Sequence, residues 1–141
     1  MKNLFNHFFV LLFVFSLVGC GKEAEKEAEI DPDFTKGLTG KYAITSYTEG
    51  KTTLTFPQPG ANGEMLVEKI DNTHVSIFPT ITVGTVSLFE FDKVSVELKH
   101  ESGNTFGIYN SGTKYGTISP TAVLISDTSL DGTFFELKGK R

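Results

Sequence analysis

From Gly40 onward, apolar and polar residues alternate in short runs separated by turn-forming residues. Val94, Val96 and Leu98 alternate with Ser95, Glu97 and Lys99, the pattern of a strand with one face buried. Tyr42, Ile44 and Ser46 alternate with Ala43, Thr45 and Tyr47 in the same way, which sets Ser46 on the face of Ile44 and Tyr47 on the other. Phe134 and Phe135 are adjacent, so one of them leaves the core. No window keeps an apolar stripe at helical spacing. The pattern predicts strands near 41–47, 51–56, 64–70, 73–78, 81–91, 94–101, 105–109, 114–118, 121–126 and 133–138, an all-β domain.

The breaks set the topology. Glu49-Gly50, Asp71-Asn72, Asp92-Lys93, Ser102-Gly103-Asn104, Asn110-Ser111-Gly112 and Asp131-Gly132 are short and rich in residues that tolerate the positive φ of tight hairpins. Consecutive short hairpins make an antiparallel up-and-down meander, and closing it into a small barrel of 8 to 10 short strands removes its exposed edges. A β-sandwich is the alternative, although few segments are long enough to cross between two sheets. Pro57 to Gly63 is the one longer loop, where two prolines exclude a central strand. In the stretch from Ile81 to Phe91, apolar residues fall on both faces and Gly84 marks a bulge or bend.

The first residues carry a different signal. Lys2 supplies a positive start, Phe8 to Leu17 is apolar except for Ser16, and Gly19 is the small residue expected before a cleavage point. An uncleaved membrane span is the alternative, but Leu4 to Val18 is shorter than the roughly 20 apolar residues a span needs and is broken by Asn6 and His7. Leu17-Val18-Gly19-Cys20 resembles the lipobox of bacterial lipoproteins. That resemblance implies cleavage between Gly19 and Cys20, lipidation of Cys20 and attachment to the cell envelope by acyl chains. Cys20 is the only cysteine, so an internal disulfide is impossible and lipidation accounts for the thiol. Two or more chains hold a protein on a bilayer where one anchors only marginally.

Residues 22–29 are all Lys, Glu or Ala, and Asp31-Pro32-Asp33 comes soon after. Such a stretch buries too little apolar surface to offset ordering and reads as a tether. The roughly 20 residues from Cys20 to Gly40 give a reach on the order of 25 Å. Lys22-Glu23 resembles the sorting signal that sends Bacteroidetes-type lipoproteins to the cell surface; a plain spacer is the other reading. The expected organisation is a signal peptide over 1–19, lipidated cysteine and acidic linker over 20–39, and a β domain over 40–141.

Formal net charge is −4, and removing residues 1–19 takes away Lys2 and no acid. No cluster of Lys and Arg with interleaved aromatics occurs, which excludes a nucleic-acid groove as the expected function.

Candidate chemistry is sparse. Beyond the signal, His74 and His100 fall in different predicted strands without metal-ligand spacing, so the expectation is no metal and no cofactor. Ser111 reads as a turn residue and no Gly-x-Ser-x-Gly elbow is present. Asp127 to Gly132 has the start of a calcium loop but lacks its middle acid and closing Glu, so it reads as a hairpin loop. Glu64, Glu68, Glu90, Glu97 and Glu136 mostly take solvent-facing positions, and a carboxylate pair for glycoside chemistry would depend on the fold to bring two together. The chain is therefore read as non-enzymatic.

Gly40-Lys41-Tyr42 resembles the Gly-x-Trp/Tyr opening of calycins, the superfamily of lipocalins and fatty-acid-binding proteins, and Lys140-Arg141 follows the last predicted strand. Lipobox, acidic linker and Gly-x-Tyr-led β domain together resemble small lipocalin-like lipoproteins of Bacteroidetes. Tyr42 stands where lipocalins usually carry Trp, and their mid-chain Thr-Asp-Tyr signature is missing. The resemblance implies a barrel closed at one end by Tyr42 beneath Lys140 or Arg141, on the outer membrane, with a small apolar ligand or a scaffold role. An envelope protein-binding module, working through loops, an edge strand or an outward Phe134, is the alternative. A barrel filled with Phe, Ile and Val side chains would remove the ligand and leave the scaffold.

Overall fold

A computed structural model of the chain describes residues 32–90, 93–129 and 131–141, the side chains of 88–90 excepted. Ten strands make one antiparallel sheet: β1 (Gly40–Glu49), β2 (Thr52–Thr55), β3 (Ala61–Lys69), β4 (His74–Val83), β5 (Val86–Glu90), β6 (Val94–Ser102), β7 (Thr105–Asn110), β8 (Thr113–Ile118), β9 (Ala122–Thr128) and β10 (Phe134–Lys140). Pairing of β1 with β10, from Ala43 opposite Lys140 to Glu49 opposite Phe135, closes the sheet on itself. The protein is a barrel, and the sandwich alternative falls with that closure.

Ten segments make eight lanes. The edge of β1 away from β10 pairs with β3 over Gly40 to Ala43 and with β2 over Ser46 to Glu49. A strand has two edges, so β2 and β3 share one lane. In the same way β4 pairs with β6 over His74 to Ile77 and with β5 over Thr80 to Val83. With these two lanes counted once each, every strand neighbours the next in sequence, the plain up-and-down order.

Three strand expectations need correction. The stretch from Ile81 to Phe91 is not one strand: β4 runs to Val83, the chain reverses at Gly84 with φ +62°, and β5 returns. Pro79 does not end β4, because it falls in the gap between the β6 and β5 pairings, where an N–H is dispensable. The long loop is shorter than expected, since β3 begins at Ala61.

The alternation of β1 also breaks. Pairing with β10 shifts register between Ile44 and Ser46, leaving Thr45 as an extra residue in a bulge. Tyr42, Ile44 and Tyr47 are all buried as a result, and Ser46 is not. Gly63 of β3 comes against Ile44, where a Cβ would lie 2.6 Å from the Ile44 Cβ.

The barrel is solid toward the end where β1 begins. Tyr42, Ile44, Met65, Val67, Val75 and Leu98 are fully buried there with Ile118, each aliphatic side chain contributing about 1.5–3 kcal/mol by leaving water. The packed body starts before Gly40, contrary to the expected boundary. Asp33 caps a turn by accepting from the Thr35 N–H (3.0 Å) and hydroxyl (2.6 Å), which tucks Thr35 and Leu38 inside and lays Phe34 against Phe106 at 5.4 Å. Phe34 and Leu38 follow an acidic cap at one-turn spacing, a local signal that the charged run before them obscures.

Candidate functional site

The two ends of the barrel differ. At the closed end the Arg141 guanidinium carbon stands 4.5 Å from the Tyr42 ring centroid. Arg141 also donates to the carbonyls of Gly37 (3.0 Å), Leu38 (3.4 Å) and Thr39 (2.6 Å), fastening the entering turn to the exit of β10. The Tyr42 hydroxyl lies 2.9 Å from the carbonyl oxygens of both Leu38 and Ser119; one proton serves two acceptors. Burial raises the Tyr42 pKa and the Arg141 charge opposes the rise. Lys140 is exposed in β10, opposite Ala43 and Ala122, while Arg141 takes the place over the ring.

At the opposite end the barrel is hollow. Strand direction places there the hairpins β1–β2, β4–β5, β7–β8 and β9–β10. Beneath them is a cavity of about 270 Å³. Its aliphatic wall comes from Ile77 and Pro79 of β4, Val94 and Val96 of β6, Ile108 of β7, Ile125 of β9 and Leu137 of β10. Tyr47, Tyr115 and Phe135 supply rings, and Asn110 and Asp127 supply the polar groups besides the tyrosine hydroxyls. Tyr47 reaches the cavity only because of the bulge at Thr45; Tyr115 enters it at a second register shift, between Ile108 and Tyr109 in the β7–β8 ladder.

Exposed residues of the inner face are apolar too. Leu54, Val83, Val86 and Val94 are exposed, and cross-strand partners share a face. Leu54 is opposite Tyr47, Val83 is opposite both Ala61 and Val86, and Val94 is opposite Ile77, so all four belong to the inner face. Phe134 is 45% exposed on the outer face, with Phe135 lining the cavity.

Asp127, expected in a hairpin loop, is an inward residue of β9. Val123, Ile125 and Asp127 keep strict alternation, the signal that identifies it. Its Oδ1 accepts the Thr128 N–H at 2.7 Å. The rest of that sequence motif is a self-satisfied hairpin: the Asp131 carboxylate accepts from the Ser129 hydroxyl and from the Thr133 N–H, and those bonds lower its pKa. Burial, with the Glu49 carboxylate nearby, raises the Tyr47 pKa, so its hydroxyl stays protonated at neutral pH.

Other candidates lie away from the cavity. His74 Nδ1 is 3.0 Å from Asp71 Oδ1 and His100 Nε2 is 3.0 Å from the Gly103 carbonyl, both toward the closed end. Glu64, Glu68, Glu97 and Glu136 are in surface ion pairs with Lys41, Lys93, Lys99 and Lys138; the Glu90 side chain lies outside the described residues. Ser111 (φ 49°) and Gly112 (φ 83°) form the β7–β8 turn. Among the described residues, no group of three or more His, Cys, Asp or Glu is placed to hold a metal ion. Gly19, Cys20, the signal segment and most of the acidic linker lie outside the described residues.

No protein-family model matches the chain, and no curated protein matches it. Among solved structures it is similar to a redesigned β-barrel, mFAP1, bound to DFHBI, at 14% identity and TM-score 0.46, covering 77% of this chain and 99% of that one. A second redesigned β-barrel, b11L5F_LGL, gives 14% identity and TM-score 0.44 over 79% of this chain and 96% of its own. A fluorescence-activating β-barrel designed de novo gives 17% identity and TM-score 0.41 over 77% of this chain and 97% of its own.

Proposed function

We propose that this chain is a non-enzymatic lipoprotein of the bacterial cell envelope, held on the outer membrane through Cys20, whose calycin-like barrel binds one small apolar molecule. The observation that carries the binding reading is the cavity of about 270 Å³ at the end of the barrel away from Tyr42, lined mostly by apolar side chains. A dry 150 Å³ cavity takes benzene, and drug-sized ligands occupy about 300–1,000 Å³. The occupant is therefore a single compact molecule, larger than one ring and smaller than a long-chain lipid. The exposed inner-face residues Leu54, Val83, Val86 and Val94 give it an apolar approach.

The cavity lining supports binding over catalysis. Among the described residues it offers one carboxylate, one amide and two phenols, with no histidine, cysteine or serine to act as base or nucleophile. The rival reading, a docking module, asks for a contiguous apolar patch on the outside. Phe134 is outside, but Leu54, Val83, Val86 and Val94 belong to the inner face.

Two measurements test the proposal. Native mass spectrometry of the detergent-solubilised protein should show a small molecule carried with it at one per chain. Cys20→Ser should abolish lipid labelling and release the protein from membranes; a variant that stayed membrane-bound and labelled would end the anchoring half.

A further inference from the structure

The cavity has a charge preference as well as a size. Of the described residues lining it, Asp127 is the one formal charge; among them there is no Lys, Arg or His. None of the ion pairs among the described residues neutralises Asp127. A second carboxylate, Glu49, stands near the Tyr47 hydroxyl where β1 turns into β2. Three rings, Tyr47, Tyr115 and Phe135, share the cavity with the Asp127 carboxylate.

A carboxylate at the polar side of an apolar pocket attracts a cation and repels an anion, and low-dielectric walls strengthen both effects. Aromatic faces add to the attraction for an ammonium group and offer nothing comparable to a carboxylate. We infer that the ligand is a small apolar amine or other organic cation, whose charged group meets Asp127 and whose apolar body fills the space among Ile77, Val96, Ile108 and Leu137. A fatty-acid-like anion, with its head toward Asp127, is the ligand this cavity excludes. The inference rests on the ligand-binding reading of the cavity and adds the chemistry of the ligand's polar end.

The test is a matched series at pH 7 with one apolar skeleton: 4-phenylbutylamine, 4-phenylbutanol and 4-phenylbutyrate, each titrated calorimetrically into the lipid-free protein. The amine should bind about tenfold tighter than the alcohol, and the acid should bind weakest. Asp127→Asn, of nearly equal shape, should bring amine and alcohol to within about twofold of each other on the same variant. An amine no tighter than the alcohol, or an acid that binds best, overturns the charge inference while leaving a ligand cavity. Absence of saturable binding for all three overturns the cavity reading too. The wild-type series decides the matter even if the Asp127 variant does not fold.

Discussion

The Arg141 guanidinium covers the Tyr42 ring at 4.5 Å and at the same time donates to carbonyls of residues 37–39. One planar group thus joins both ends of the domain at the closed end of the barrel. Arg141→Ala should lower stability by about 1–3 kcal/mol, from the lost cation–π contact and the orphaned carbonyls. Arg141→Lys should recover less than half of that, since an ammonium has no plane to stack and no fork to span three acceptors. Urea midpoints of the three proteins decide it, and a lysine variant equal to wild type would show that charge alone matters.

Two glycines separate backbone from side-chain crowding. A Cβ on Gly116 would come within 1.9 Å of the Leu124 carbonyl oxygen, so β8 and β9 must move apart. A Cβ on Gly107 would meet the Glu101 carboxylate and the Tyr109 ring at 2.6 Å, both of which swing aside toward solvent. Gly116→Ala should therefore cost about 2–3 kcal/mol and Gly107→Ala less than about 1. Thermal unfolding of both variants gives the order; the reverse order contradicts the packing described for the β8–β9 pair.

Asp33 ties the entering turn to the β3–β4 corner. The Lys69 ammonium at 2.6 Å, followed by the Thr35 hydroxyl, holds its carboxyl pKa at about 2. A carboxylate with a depressed folded pKa favours the native state while both forms are ionised, and that contribution fades as pH falls through the folded value. Asp33→Asn should be less stable than wild type at pH 7, with the difference closing between about pH 4 and pH 2. A difference that stays constant across that range would assign the effect of the substitution to the turn geometry and not to the charge.

How much was legible in the sequence depended on how local each cause is. The Asn110-Ser111-Gly112 and Asp131-Gly132 reversals follow from residues that tolerate positive φ, and Val94, Val96 and Leu98 declare their face by alternation. The bulge at Thr45 is set by the pairing of β1 with β10, some ninety positions away, and without it Tyr47 points outward. Asp127 was readable by the same alternation as Ile125, but a resemblance to a loop motif masked it. The cavity was not readable, because empty volume is the difference between strand spacing and side-chain filling, and only the folded register fixes both.

A ligand bound in the hollow end of the barrel would lie against Val94. Val94 is 40% exposed and lines the cavity wall opposite Ile77, so Val94→Trp should be accommodated by the fold while filling the way in. The decisive measurement is calorimetric titration of 2-naphthol, a compact neutral apolar probe, into wild type and Val94→Trp, with thermal unfolding recorded for both. The expected result is saturable one-to-one binding to wild type and at least tenfold weaker binding to a variant whose unfolding temperature is little changed. Equal affinity for the two proteins, or no saturable binding to wild type, would contradict it.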